Sequence, residues 1–499
     1  MRYRVFIAWI VLWCGQAVWA EGVKAGFAER DITPEIGMEQ PGGYGKAFHQ
    51  KLHDPCKVRA AVFDDGGKRV ALVGIDSLIV PRELVLKVRA AVKDKCGIEP
   101  GAVLIGASHT HTGGPLGMVQ AGQFDHADAL VMELAYKKSS MADPKYVQVV
   151  EQKMVEAIVA ADAARAEVTC GFGSGAEEGL VFNRRMRMKN GMTFTHPGRG
   201  NPEIEGYAGP VDPQVGVIGV WGSDGKLAGC VVNFACHCTC GNPGISADYV
   251  YDMERVIRGM FGPQVGVVFL NGASGDITQV DNLGQHAGGY YFGETASARV
   301  GGRIGAEAVK VLLTIGRGKE APVAFASNVL KIPRRVPDSQ RVAAAYEVVK
   351  TKDGSFPDWV WAKETVMLDA IIKQEPVVDV EVQAVQVGPA VFVTTPAEYF
   401  CQYGLDIKKG SKFPFTYPVS LANGCVGYVP TEEAFGEHGG GYETRLTSYS
   451  NLRITAGREM ADAGIALTQG LTPGSVPQPP PTEPFKAPWT YGNVPPQKQ

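Results

Sequence analysis

Hydrophobic positions along this chain fall into two alternating rhythms. Residues 23–34 read as a strand entering a turn, and the β-branched runs 58–63 and 70–75, separated by Asp64, Asp65, Gly66 and Gly67, predict a hairpin. Over 82–95 the apolar positions Leu84, Val85, Val88, Ala91 and Val92 recur at helical spacing, and an apolar run over 102–106 follows. Strand, helix and strand in that order are the rhythm of an α/β sheet. A further helix is predicted over 146–163, and buried strands over 215–221, 227–235 and 265–270. Residues 297–313 return to helical spacing and 382–395 to strand. The fold class that follows is α/β, with mixed β-sheets flanked by helices in one large domain.

The two ends of the chain read differently. Arg2 and Arg4 precede an apolar run over 5–13, and the small residues Ala17 and Ala20 come next, the pattern of a secretory signal peptide over 1–20. That run is too short to span a bilayer, and no later segment offers the roughly 20 apolar residues a spanning helix needs. From Pro473 the composition shifts to Pro, Gln, Thr and Lys, including Pro479-Pro480-Pro481, which favours extended, solvated chain. The expected organisation is a leader (1–20), one globular unit (21–472) and a flexible proline-rich tail (473–499), in a secreted or periplasmic protein without a transmembrane segment. Removing the leader takes away two arginines and no acid, which moves the formal charge from -3 to -5 and leaves no basic face for nucleic acid. The 62 glycines and 32 prolines imply many turns, so loops shape whatever site the unit carries.

The chemistry concentrates at strand ends. Directly after the apolar run at 102–106 come His109-Thr110-His111-Thr112-Gly113-Gly114. In extended chain, residues two apart share a face, so both imidazoles are expected to point into one space at the end of a strand, where open α/β sheets place ligands. Neutral imidazole is a common zinc ligand. The plain alternative is a pair of hydrogen-bonded histidines in a glycine-rich turn. A second strand runs into Cys236-His237-Cys238-Thr239-Cys240. Period-two geometry separates His237 from the three thiols, so either His237 joins the distant His109 or the cysteines hold a metal of their own. Buried thiols that pack as small apolar groups, with one disulfide elsewhere, are the structural alternative for the cysteines, and it is preferred here, with His237 kept as a ligand. Nine cysteines remain after the leader, an odd number for an oxidising compartment.

These islands resemble the neutral, non-lysosomal ceramidases. The family's His-Thr-His-Ser-Gly-Pro is matched by His109 to Gly114, and its Phe-Ala-x-His by Phe234-Ala235-Cys236-His237. Its Pro-Gly-Glu after a buried strand looks like Pro396-Ala397-Glu398, and its Asn-x-Tyr-x-x-Tyr element like Asn423-Gly424-Cys425-Val426-Gly427-Tyr428. The resemblance runs from about His109 to Tyr449. It implies a zinc-hydrolase catalytic domain that cleaves the N-acyl bond of ceramide or a related sphingolipid, with zinc on His109, His237, Glu398 and Tyr428. It also implies His111 beside the ion, handling protons or stabilising an oxyanion. Arg184, in Asn183-Arg184-Arg185, matches the arginine of the family's Asn-Arg-Ser-Pro and is expected to hold the polar part of the substrate; Tyr442 resembles a tyrosine that contacts the scissile group.

The chain also departs from the family. Where Gly-Asp-Val-Ser-Pro-Asn carries a serine required for activity, Gly275-Asp276-Ile277-Thr278 places Thr278, which keeps the hydroxyl but adds a methyl and a stiffer χ1. The proline-rich tail stands where better known members continue into a C-terminal β-sandwich, so that domain is not expected. No basic, aromatic amphipathic helix for docking on lipid is visible. Two other readings therefore stand beside ceramide hydrolysis: the same zinc chemistry on a soluble N-acyl sugar, glycan or ester, and a non-catalytic zinc-containing binding protein in which Thr278 records lost chemistry.

Overall fold

A computed structural model of the chain describes residues 22–286, 291–351, 357–482 and 489–499. The predicted leader lies outside the described residues, as do residues 483–488 of the tail.

The hairpin forms where two β-branched runs meet a turn that needs no apolar contact. Lys57–Asp64 and Arg69–Ile75 pair antiparallel from Val58↔Ile75 to Asp64↔Arg69. Asp65 Oδ1 closes the turn by accepting from the amides of Gly67 and Lys68 at 2.9 and 2.8 Å. The helix Arg82–Cys96 buries Leu84, Val85, Val88 and Val92 and stops at Gly97, whose φ of 75° lets its amide return to Lys93 O. It delivers the chain to Val103–Ala107, which lies parallel to Arg69–Ile75. Lys24–Asp31 flanks the hairpin on its other side and completes a set of four strands.

Only two residue pairs, Lys24↔Glu167 and Ala25↔Ala166, join this set to a second one made of Ala166–Ala176, Gln214–Gly222, Leu227–Phe234 and Gly266–Asn271. Each set ends on a parallel pair. The two fold onto each other so closely that a Cβ on Gly74 would lie 2.3 Å from the carbonyl oxygen of Phe269, which only glycine permits. Pro144–Ala163 and Arg82–Cys96 cover the first set, and Tyr249–Phe261 and Glu294–Thr314 the second. This is the predicted mixed α/β architecture.

A third sheet consists of Val323–Pro333, Val377–Val387, Ala390–Thr394 and Phe415–Val419. Residues 382–395, read as one strand, form a hairpin that turns at Gly388, with φ of 58°, and Pro389, so that Val387 pairs with Ala390. Residues 380–400 are all buried, so no polar alternation marks the turn; the Gly-Pro pair is its only trace. Past the helix Ala456–Gly470 the chain lies against this turn, with Thr472 O accepting from Gln386 Nε2 at 2.7 Å and the Gly474 amide donating to Gly388 O at 3.0 Å.

A helical wall stands beside the sheets, where Ser339–Val349, Asp358–Gln374 and Ala129–Lys138 bury Phe124, Leu134, Val349, Val366, Met367 and Ile371 together. Lys363, with no exposed surface, ties this wall to the loop around Tyr44: its Nζ donates to Tyr44 O, to Ser139 Oγ at 2.6 Å and to Lys138 O at 3.3 Å. Asn423 joins the third sheet to the first. At a φ of 63°, its Oδ1 accepts from the Ile105 amide at 3.0 Å while its Nδ2 donates to Gln383 Oε1 at 2.8 Å. Asn423→Ala removes both bonds and adds left-handed strain, and is expected to lower the urea-unfolding free energy by about 2–4 kcal/mol; an unchanged unfolding midpoint would contradict the role given to this side chain.

Candidate metal centre

His109 sits just past a strand end. The strand stops at Ala107, the amides of Ser108 and His109 donate to Ile75 O and Ser77 O at 2.9 Å each, and His109 takes a left-handed φ of 71°. A non-glycine residue in that region is strained and persists because its surroundings hold it. Its Nδ1 lies 2.8 Å from Leu78 O, which fixes the proton on Nδ1 and leaves the Nε2 lone pair facing inward. His109 and His111 do meet, with Nε2 atoms 3.3 Å apart, but the period-two argument is not the reason: the chain has left the strand, and a turn makes the approach. Gly42, at a φ of 108°, allows the covering loop to pass, since a Cβ there would lie 2.6 Å from His111 Nδ1.

His237 follows the end of Leu227–Phe234. Its Nδ1 donates to Ser274 O at 2.6 Å, so its Nε2 is likewise a lone pair turned toward His109. Cys236, Cys238 and Cys240 are fully buried, and burial pushes their thiols up, the opposite of what a thiolate ligand needs. They pack in the apolar core around Tyr249 and Ile257. All nine cysteines among the described residues are unpaired, so the disulfide allowed by the packing reading is absent there.

Glu398 and Tyr428 arrive together, because Glu398–Tyr399 and Tyr428–Val429 pair in parallel with Glu398 opposite Tyr428. Glu398 Oε2 lies 3.2 Å from His109 Nε2 and 3.0 Å from His237 Nε2, and the Tyr428 hydroxyl is 3.4 Å from His237 Nε2. Oε2 is buried and receives no hydrogen bond, whereas Oε1 accepts from Tyr449 at 2.9 Å. Burial, with Arg184 nearby, brings the His237 imidazole down to about 4, and burial beside the other two histidines holds His111 well below its ordinary value. The Nε2 atoms of His109 and His237 and the Oε2 atom of Glu398 thus converge on one point, and no donor of the protein completes Glu398 Oε2. The donor atoms of His109, His111 and His237 all lie within 4.8 Å of one another, an arrangement that could hold a metal ion.

Arg184 borders this point. Its Nη1 is 3.1 Å from His237 Nε2, its Cζ stands 5.3 Å from the Tyr428 ring centroid, and its Nε donates to Glu443 Oε1 at 2.7 Å. Tyr442 packs edge-on against Tyr428 at 5.4 Å, and its hydroxyl lies 3.2 Å from that of Tyr44. Thr278 is placed differently. Its hydroxyl is engaged locally, by Gln279 Oε1 at 3.4 Å and the Val280 amide at 3.2 Å, and among the described residues no hydrogen bond joins it to the histidines. What its segment contributes is backbone, through Ser274 O and Ile277 O to His237. Sequence reasoning passed over Glu443, Tyr449, Tyr44 and Thr195. Only Glu443 carried a signal, as an acid next to a singled-out tyrosine. A cavity of about 110 Å³ opens behind Tyr44 and Tyr449, with Met118, Phe124, Met367 and Glu364 in its wall.

Together the fold and the cluster define an α/β domain with a buried histidine and carboxylate centre suited to a metal ion. No protein-family model matches the chain. In sequence it is 28% identical over 227 residues to neutral ceramidase of Pseudomonas aeruginosa, a match covering 43% of this chain and 30% of that protein, so less than a third of the relative's length. The crystal structure of neutral ceramidase from P. aeruginosa superposes with a TM-score of 0.65 at 21% identity, over 93% of this chain and 77% of that one. A ceramidase complexed with C2 gives 0.61 at 20% identity over the same shares. The chain is a divergent relative of the neutral ceramidases and has their catalytic-domain fold.

If the converging lone pairs hold a metal, the purified protein is expected to carry about one equivalent by elemental analysis and to lose most of it in His109→Ala and His237→Ala. Chelation should lower the thermal midpoint of the parent protein and not that of the variants, since an ion that binds only the folded state stabilises it. Full metal content in His237→Ala would exclude this centre.

Proposed function

We propose that the chain is an exported, zinc-dependent amidohydrolase that cleaves the N-acyl bond of ceramide or a related sphingolipid. The observation that carries the reading is the buried, donor-free Oε2 of Glu398 between the Nε2 atoms of His109 and His237. With Tyr428 as fourth ligand, these residues form a set of two imidazoles, a carboxylate and a phenol oxygen, chemistry that suits zinc. Bound there, zinc supplies Lewis-acid polarisation of an acyl oxygen and a water acidified toward neutral pH. We keep His111 out of the ligand set because Glu398 Oε2 sits between the other two histidines.

Each remaining residue has a task that follows from its surroundings. His111, held neutral by burial, can accept a proton beside the centre and pass it to the leaving amine. Arg184 turns a charged donor toward the same space, where it can hold the polar part of the substrate or the charge that develops on the acyl oxygen. Tyr442 walls the same space through its contacts with Tyr428 and Tyr44. For Thr278 we assign support of the His237 segment, with its hydroxyl available to the site only if Gln279 releases it. Export rests on the leader pattern at 1–20; among the described residues no helix is long and apolar enough to cross a membrane.

One observation favours a second substrate. The cavity behind Tyr44 and Tyr449 is small and includes Ser139, Ser140, Glu364 and Ser448 in its lining, which suits a short acyl group or a soluble polar N-acyl compound better than a long chain. The deciding experiment is release of sphingosine from a short-chain ceramide by the zinc-loaded protein, beside a panel of N-acyl sugars and simple esters. Turnover of the ceramide, falling at least about a thousandfold in His237→Ala, is expected. Faster hydrolysis of the soluble panel would transfer the assignment to those substrates, and inactivity of the zinc-loaded protein on every amide would end the amidohydrolase reading.

A further inference from the structure

Arg184 brings a positive charge into a buried wall otherwise made of histidines, a carboxylate and tyrosines, and Glu443 holds it there. Glu443 has no exposed surface. Its Oε1 accepts from Arg184 Nε at 2.7 Å, its Oε2 accepts from Thr195 Oγ1 at 2.6 Å, and Arg185 Nε stands 3.7 Å from Oε2. Thr195 Oγ1 in turn accepts from the Tyr442 amide at 2.9 Å, so the carboxylate is fixed from two elements at once. The same chain of contacts therefore binds the backbone that carries Tyr442 to the strand that carries Thr195.

The consequence is geometric. A guanidinium is planar, so tying Nε to a fixed carboxylate leaves its Nη edge little freedom. That edge faces the centre: Nη1 is 3.1 Å from His237 Nε2, and Nη2 is buried without any acceptor. Buried N–H groups are nearly always paired in folded proteins. An unpaired guanidinium donor on the rim of a centre that lacks its substrate marks the position of a substrate acceptor. We infer that Glu443, seated by Thr195, is a positioning residue that aims the unpaired Nη2 of Arg184 at an oxygen of the bound substrate. Its identity as an acyl oxygen rests on the amidohydrolase reading above. A merely structural role, neutralising Arg184 and Arg185 in the core, would instead make Glu443 act independently of what Arg184 does to ligand.

The two roles separate in a double-mutant cycle on the full-length, zinc-loaded protein. Arg184→Ala, Glu443→Ala and the double variant are compared for acetohydroxamate binding by calorimetry, for kcat and KM on a short-chain amide, and for zinc content and thermal midpoint. Glu443→Gln, which keeps the side chain's size and an acceptor oxygen, is carried alongside in case the alanine variant does not fold. Loss of one charge-assisted donor is expected to weaken acetohydroxamate about tenfold or more in Arg184→Ala. Glu443→Ala should weaken it by a similar factor at full zinc content, Glu443→Gln by less, and the double variant no further than Arg184→Ala alone, with kcat falling more than KM rises. Losses that multiply in the double variant, or parent-like binding in both Glu443 variants, would overturn the inference, as would a zinc-loaded parent protein that binds no acetohydroxamate. A parent that binds acetohydroxamate but turns over no amide would remove the hydrolase reading and leave the cycle to decide Glu443.

Discussion

Lone pairs that face one another across about 3 Å inside a protein repel unless something positive lies between them. At this centre the constraint comes from backbone carbonyls. Leu78 O and Ser274 O take the Nδ1 protons of His109 and His237, and so oblige both Nε2 atoms to present lone pairs toward the oxygen of Glu398. Much of the surrounding structure serves to keep those two carbonyls and that carboxylate in register. Ser77 O holds the His109 amide at the turn that ends in Leu78, and the Ser274 segment is held by hydrogen bonding to Tyr399 O through Gly275, one residue beyond Glu398. The metal-site reading thus rests on second-row geometry as much as on the ligands themselves.

The two strand sets of the eight-stranded sheet and the four-stranded sheet converge on this point because each contributes one strand end. Val103–Ala107 delivers His109, Leu227–Phe234 delivers His237, and Ala390–Thr394 leads into Glu398. Strand ends are suited to the task. The strand behind them is rigid and fully bonded, while the first residues past it can take turns and left-handed conformations that aim a side chain. The left-handed His109 and Asn423 lie at such positions, and Asn423 bonds the first sheet to the third within a few residues of both His109 and Tyr428.

His109 and His237 were readable in the sequence because apolar runs stop abruptly ahead of them, at Ile105 and Phe234, whereas Glu398 was reached through the resemblance carried by Pro396-Ala397-Glu398. The hairpin at 58–75 was readable because Asp64, Asp65, Gly66 and Gly67 separate its two apolar runs, and the helices over 82–95, 146–163 and 297–313 because one of their faces is polar. The turn at Gly388 was not, since burial on both sides erases alternation and only a Gly-Pro pair remains. Nor could spacing foresee how His109 and His111 meet, because a period argument holds only while the strand continues. Tyr449 and Thr195 lay beyond reach for a different cause. They act through partners 51 and 248 residues away, and such pairings become visible only when the fold is known.

The buried arginine gives the site its asymmetry. On one side Tyr428, Tyr442 and Tyr44 form an aromatic wall with weakly polar hydroxyls, and beyond it lies the small cavity bounded by Met118 and Phe124. Beside it Arg184, Arg185 and Glu443 form a charged wall with donors to spare, the Arg184 Cζ standing 5.3 Å from the Tyr428 ring centroid. A substrate that fits both must carry an apolar or neutral part next to a strong hydrogen-bond acceptor, and an acyl amide has that division built in. Water admitted beside Arg184 would compete for the same donors, so the aromatic wall matters to the charged one: by excluding solvent it strengthens the interaction that Arg184 can make with a bound acceptor.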